Sequence, residues 1–126
     1  MSIVIDTSAV LAVIRNEEGR DRVVEVLDRA VASTVSYAEV IGNLVMRGMP
    51  LAFAKAQFDS LRIPTVPFDE AQALEAGNLR RLSHHMQLSL GDRACLSLAR
   101  LRKEPVLTAD QKWSELKIGV DVRLIR

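Results

Sequence analysis

Four acidic residues carry the chemistry available to this 126-residue chain: Asp6, Glu39, Asp92 and Asp110. Asp6 is the first residue after the β-branched run Ile3-Val4-Ile5, and Glu39 falls one helical turn beyond the second strand candidate. Asp92 opens a predicted helix that leads into the fourth strand candidate, and Asp110 is the first residue past that strand. Carboxylates gathered on one spot repel one another and hold their protons more tightly unless a cation neutralises them. Hard oxygen donors without histidine or cysteine select Mg²⁺ or Mn²⁺, and Mg²⁺ keeps waters that can become nucleophiles. One or two such ions suit in-line attack on a phosphodiester, polarising the phosphoryl oxygens and activating water.

Each acid also has a purely structural reading. Asp6 before Thr7-Ser8, Asp92 after Gly91 and Asp110 before Gln111-Lys112-Trp113 all fit helix N-caps. Ser36-x-x-Glu39 fits a capping box, with Glu39 bonding back to the Ser36 amide. Taken singly, each position favours the cap. Their joint placement around one sheet edge shifts the balance toward a metal site, and a capping carboxylate still keeps a free oxygen.

Whether the acids meet depends on the elements that hold them. The run at 3–5 lacks alternation, as expected of a strand buried on both faces. Further strands are expected at 31–35, 63–67, 105–109 and 120–125, and Pro64 and Pro67 push the 63–67 segment toward the sheet edge. Apolar spacing predicts helices over 8–14, 20–30, 36–47, 51–61 and 69–86, and from Asp92 to about Leu101. A helical turn is expected at 111–117 and a loop at 88–91. The inward faces are expected to carry Val40, Leu44 and Val45; Phe53, Ala54, Phe58 and Leu61; and Ala73, Leu74, Ala76, Gly77 and Leu82. Strands alternating with helices imply parallel crossovers. The expected fold is therefore a single α/β domain, residues 1–126, a three-layer α/β/α sandwich around a mostly parallel five-stranded sheet. Chemistry in such folds sits beyond the carboxyl ends of the strands. Topology alone then puts Asp6, Glu39 and Asp110 on one edge, and Asp92 joins them if its helix begins over that edge.

Composition narrows the classes. Hydrophobic residues make up 48% of the chain, enough for a real core, so a disordered chain is excluded. The single cysteine, Cys95, excludes an internal disulfide framework or a zinc ribbon, and the two adjacent histidines, His84 and His85, exclude a histidine-rich zinc site. Net charge is +1, too little for a general polyanion binder, but arginine outnumbers lysine thirteen to four and suits forked phosphate contacts. Aromatics at 4% argue against a base-stacking platform. The start of the chain lacks a basic region and cleavage site, and no apolar run nears the roughly 20 residues that span a bilayer. A soluble, cytoplasmic protein without membrane association is expected.

The stretches Val4-Ile5-Asp6-Thr7-Ser8-Ala9, Ser36-Tyr37-Ala38-Glu39-Val40, Leu88-Ser89-Leu90-Gly91-Asp92-Arg93-Ala94 and Val106-Leu107-Thr108-Ala109-Asp110, with Trp113 just after, resemble in order and spacing the PIN-domain family. The likeness covers essentially the whole chain and is nearest to the VapC toxins of prokaryotic toxin–antitoxin pairs. It implies a Mg²⁺-dependent endoribonuclease, with Mn²⁺ able to substitute, in which Asp6, Glu39, Asp92 and Asp110 form the acidic quartet. Asp6 and Asp92 would be the most direct metal ligands, with Glu39 and Asp110 completing the shell through water or holding a second ion. Ser8 would orient Asp6 or a bound water, and Thr108 would support it. Gln111 and Lys112 stand where some PIN domains carry further acid. The resemblance also implies a homodimer and a VapB-like antitoxin whose C-terminal segment lies across the site, with an arginine among its carboxylates.

Arg93, beside Asp92, is read as a phosphate contact, as a partner for a site carboxylate, or as a plain surface charge. Arg80-Arg81 and Arg100-Arg102-Lys103 read as solvated helix faces, Cys95 as a buried packing thiol, and Trp113 as a pin for the last helical turn. A phospho-accepting receiver would need paired acids after the first strand, and a phosphatase of the haloacid-dehalogenase type would need Asp at the position of Ser8. No glycine-rich phosphate loop is present. The remaining alternative is a non-catalytic PIN-like module that binds RNA or protein, and the presence of all four acids favours catalysis over it.

Overall fold

The sheet is built from five short strands in the computed structural model, which describes residues 1–126: β1 (Ile3–Ile5), β2 (Ala30–Ser33), β3 (Thr65–Val66), β4 (Val106–Thr108) and β5 (Val122–Leu124). Their order is β3-β2-β1-β4-β5, and every neighbouring pair is parallel. Val4 pairs with Val31 on one side and Val106 on the other, so β1 lies at the centre. The three inner strands are buried throughout, as their unbroken apolar runs require, while β3 and β5 are only partly covered. The flanking Pro64 and Pro67 do confine β3 to an edge, where Pro64 contributes a carbonyl to the Ala32 amide at 3.0 Å.

Six helices cover the two faces: α1 (Thr7–Ile14), α2 (Arg20–Val24), α3 (Thr34–Met46), α4 (Leu51–Asp59), α5 (Glu70–Leu82) and α6 (Leu90–Arg102). Because successive strand residues point to opposite faces, Ile3 and Ile5 enter one core with Val10, Val40, Leu44 and Phe58 from α1, α3 and α4. Val4 enters the other, with Leu79 of α5, Cys95, Leu96 and Leu98 of α6, and Trp113. Tyr37 meets Phe58 edge-on at 4.7 Å between ring centres and ties α3 to α4. None of the helices is long and apolar enough to cross a membrane.

Several expected boundaries shift for identifiable reasons. The second strand ends at Ser33 rather than residue 35, because the Ser33 hydroxyl accepts the Val35 amide and starts α3 early. The predicted helix over 20–30 stops at Val24 and gives way to a 3₁₀ turn at Leu27–Arg29. The helix expected to reach Met86 ends at Leu82, where the Ser83 hydroxyl bonds back to the Leu79 carbonyl, and a 3₁₀ turn follows at His84–Met86. Residues 88–91 are not all loop: α6 begins at Leu90, capped by Ser89. The last expected strand shrinks to Val122–Leu124, and the expected 111–117 turn is a 3₁₀ segment, Gln111–Glu115. Val45, Phe53, Ala73, Leu74 and Gly77, expected inward, are exposed. In these helices the stripe facing the sheet is narrower than the apolar set.

Trp113 is fully buried, as its size and place after the last motif suggested, yet its indole N–H finds no acceptor. Trp113→Ala should therefore lower stability by about 3–5 kcal/mol, the usual range for emptying a large aromatic site. Trp113→Phe should lose much less, since it also removes an unsatisfied donor. Urea denaturation of both variants checks this ordering.

Candidate active site

Strand order places a topological switch between β1 and β4: one leads into α1 on the first face, the other is reached from α6 on the second. Crevices at such points, beyond the carboxyl ends, are where α/β sheets bind ligands. Asp6 occupies this point. Its amide donates to the Leu107 carbonyl at 3.0 Å, which extends the β1–β4 ladder by one residue. Although Asp6 is the residue before α1, its side chain makes no capping bond. The carboxylate is instead held by two hydroxyls, both on Oδ2: Ser8 donates at 2.7 Å and Thr108 at 2.9 Å. Oδ1 is left clear of both. Ser8 and Thr108 are themselves tied down, since Ser8 accepts the Ala109 amide at 2.9 Å and Thr108 accepts the Asp110 amide at 3.0 Å.

Asp6 is only 5% exposed. Burial, opposed by the Ser8 and Thr108 hydrogen bonds and reinforced by the charge of Asp92, pushes its pKa up to about 6. The thiol of Cys95, buried beneath the site on α6, is raised well above its usual value, first by burial and then by the charges of Asp6, Asp92 and Glu39. Three of the four acids thus direct their field at one place, even though they come from three different segments.

Glu39 is not part of a capping box, because α3 starts at Thr34 and leaves Glu39 in its second turn. Its Oε1 accepts the Thr7 hydroxyl at 2.6 Å, and its Oε2 lies where a side chain on Gly91 would stand. A Cβ at position 91 would fall 2.1 Å from that oxygen, so only glycine leaves Glu39 its place. Asp92 is not an N-cap but the third residue of α6, in a capping box with Ser89: Oδ2 accepts the Ser89 amide at 3.0 Å, and the Asp92 amide donates to the Ser89 hydroxyl at 3.1 Å. Oδ1 remains available. Asp110 does cap its 3₁₀ turn through Lys112 N–H, and its own amide connects it to Thr108. Arg93 pairs with no carboxylate; it reaches across to α5 and donates to the Ala76 carbonyl at 3.0 Å. Thr7, Ser89 and Gly91 are contributors that motif reading passed over. The signals were a second hydroxyl between Asp6 and Ser8, a serine three residues before an acid, and a glycine in a first helical turn.

None of the four acids enters an ion pair. The donors are all hard oxygens carrying excess negative charge, which suits a divalent cation such as Mg²⁺. As the side chains stand, no three of them close on a single point as a finished cage. The set is a rigid Asp6 with three acids anchored around it.

A parallel sheet with a buried carboxylate at its switch point and further acids on the same edge defines an α/β domain with a candidate cation site. The chain matches the PIN domain family model over residues 3–119 and belongs to that family. Among solved structures, it superposes on a chain of DNA-bound VapBC from Salmonella typhimurium with a TM-score of 0.81 at 19% identity, covering 100% of this chain and 99% of that one. VapBC-5 from Mycobacterium tuberculosis, a member of the VapBC family of toxin–antitoxin systems, gives 0.68 at 25% identity over 99% and 98%. A toxin–antitoxin complex from Klebsiella pneumoniae gives 0.74 at 16% identity over 99% and 98%. No curated protein is significantly similar in sequence.

Because Asp6 titrates near 6 in the fold and near 3.8 when unfolded, ionising it opposes folding. In metal-free buffer this should remove up to about 3 kcal/mol of stability as pH rises from about 4 through 6. Asp6→Asn, which cannot ionise, should then be more stable than the natural protein at pH 7, with the gain vanishing near pH 4. Denaturation in EDTA at several pH values checks this, and a pH-independent difference would remove burial as the cause. Gly91→Ala should melt no lower than the natural protein, since alanine favours helix by roughly 0.5–1 kcal/mol. Its crystal structure should nevertheless show Glu39 swung away from Thr7.

Proposed function

We propose that the protein is a Mg²⁺-dependent endoribonuclease, the toxin of a VapBC-type toxin–antitoxin pair, in which Mn²⁺ can replace Mg²⁺. The observation that carries this reading is the unpaired acidic set at the β1–β4 switch, centred on a buried Asp6 that two hydroxyls hold in place. Membership of the PIN domain family and the fold shared with VapBC structures support the same reading.

Asp6 and Asp92 would hold the cation most directly, through the oxygens their hydrogen bonds leave free, with Glu39 and Asp110 completing the site. A bound divalent cation supplies a Lewis acid for the phosphoryl oxygens and neutralises the carboxylates. Ser8 and Thr108 fix the Asp6 carboxylate in one orientation, so that little reorganisation accompanies binding. Thr7 holds Glu39 by Oε1 beside Gly91, so that its carboxylate stays in place to complete the site. The Ser89 amide fixes Asp92 in the same way.

A protein partner fits two further features. Four acids without basic partners invite an arginine from outside the chain, as an antitoxin segment lying across the site would supply. Met46, Leu51 and Phe53 are exposed on α3 and α4, and such an apolar face suits a homodimer.

Purified, partner-free protein should cut cellular RNA at discrete positions in Mg²⁺ or Mn²⁺ and not in EDTA. Asp6→Asn and Asp92→Asn should each lose about 100-fold or more in rate, the several kcal/mol that a displaced cation represents, while keeping the fold. Fragment ends mapped by sequencing would name the target. Full activity in either variant would overturn the site assignment, and absence of both cutting and carboxylate-dependent Mn²⁺ binding would favour a non-catalytic module.

A further inference from the structure

We propose that the groove between the end of α5, the His84–Met86 turn and the start of α6 is a subsite for backbone phosphates of the RNA strand beside the scissile bond. This rests on the nuclease reading and adds a place for the strand that the acidic set cannot hold by itself.

The groove encloses about 480 Å³ and is lined by Arg80, His84 and Arg93, with no acidic residue among its walls. In a chain with 17 basic and 16 acidic residues, such a segregated surface is a local departure from balance. The arginines elsewhere on α6 are neutralised, Arg100 by Glu75 and Arg102 by Glu104. Arg80 and Arg93, like seven other arginines of the chain, have no carboxylate partner, so what distinguishes them is their place in one acid-free groove. Arg93 is anchored by a neutral group, the Ala76 carbonyl, and its Nε is buried without an acceptor. An arginine held in place with its charge uncompensated is prepared for an anion that the chain does not contain.

Position links the groove to the carboxylates. Ser89 lines it, and the same residue's amide holds Asp92. A strand whose scissile phosphate lay at the acids would pass its neighbouring phosphates over Ser89 toward Arg93 and Arg80. The division is physical: the carboxylates repel a bare phosphate and need a cation to accept it, whereas the groove accepts phosphate directly. The groove therefore contributes affinity and direction, and the acids contribute chemistry.

The test measures binding without cleavage. A fluorescein-labelled single-stranded RNA is titrated in EDTA, at several NaCl concentrations, against the natural protein, Arg80→Ala, Arg93→Ala and the control Arg81→Ala. Arg81 neighbours Arg80 on α5 but lies outside the groove. Each groove variant should bind about three- to tenfold more weakly and lower the slope of log K against log salt by about 0.7, the value for one lost single-strand phosphate contact. Arg81→Ala should leave both unchanged. Because Arg93 also ties α6 to α5, the exposed Arg80 supplies the arm that a folding defect cannot imitate. Unchanged RNA affinity and slope in Arg80→Ala would overturn the proposal, as would Arg80-dependent binding of a poly-glutamate peptide in preference to RNA. Arg80-dependent RNA binding by a protein that never cuts would support the groove and overturn the nuclease reading. Cutting indifferent to Arg80 would do the reverse.

Discussion

Two hydroxyls meeting one carboxylate oxygen across the β1–β4 seam set the conditions for the rest of this molecule. Ser8 comes from the first turn of α1 and Thr108 from the end of β4, and both donate to Asp6 Oδ2. Their own positions depend on backbone amides at Ala109 and Asp110, so the start of the chain and its last quarter are registered against each other at the site. Withdrawing Asp6 from water disfavours its charge, and the hydroxyls only partly offset that. A carboxylate kept in that state opposes folding. A bound cation would offset that cost, which is the sense in which a functional site can oppose stability.

The remaining acids are arranged with less burial and more individual anchoring. Each has one oxygen committed to the protein and one left over: Glu39 to Thr7, Asp92 to the Ser89 amide, Asp110 to the Lys112 amide. The structural and chemical readings of these residues are therefore not rivals. The capping box at Ser89 both starts α6 and aims Asp92, and a helix start makes a precise mount because its orphan N–H groups need an acceptor there. Gly91 shows the same economy from the opposite direction, by omitting a side chain where Glu39 must lie.

Much of this was legible in the chain. The buried strands read directly as unbroken apolar runs, the prolines marked the edge strand, and alternation of strand and helix implied a parallel sheet. The resemblance to PIN domains is what singled out Ser8 and Thr108 as supports for Asp6. Boundaries were harder, because serine caps at Ser33 and Ser89 began helices two residues before the expected starts. Helix faces were also overread: Val45, Phe53 and Leu74 are apolar at helical spacing but lie outside the arc that two-layer packing can bury.

What the sequence determined by itself was local: which segments become strands, and that acids stand just past the first and the fourth of them. Local propensity, hydrophobic period and cap chemistry act over a few residues and can be read in order. The tertiary structure decided which of those acids share one field, that Glu39 pairs with Thr7 rather than capping its own helix, and that Arg93 turns to Ala76 and away from Asp92. Those outcomes depend on strand order and on contacts between residues 32, 17 and 102 positions apart. No spacing rule along the chain encodes them, because burial and electrostatic field are properties of the packed assembly of segments.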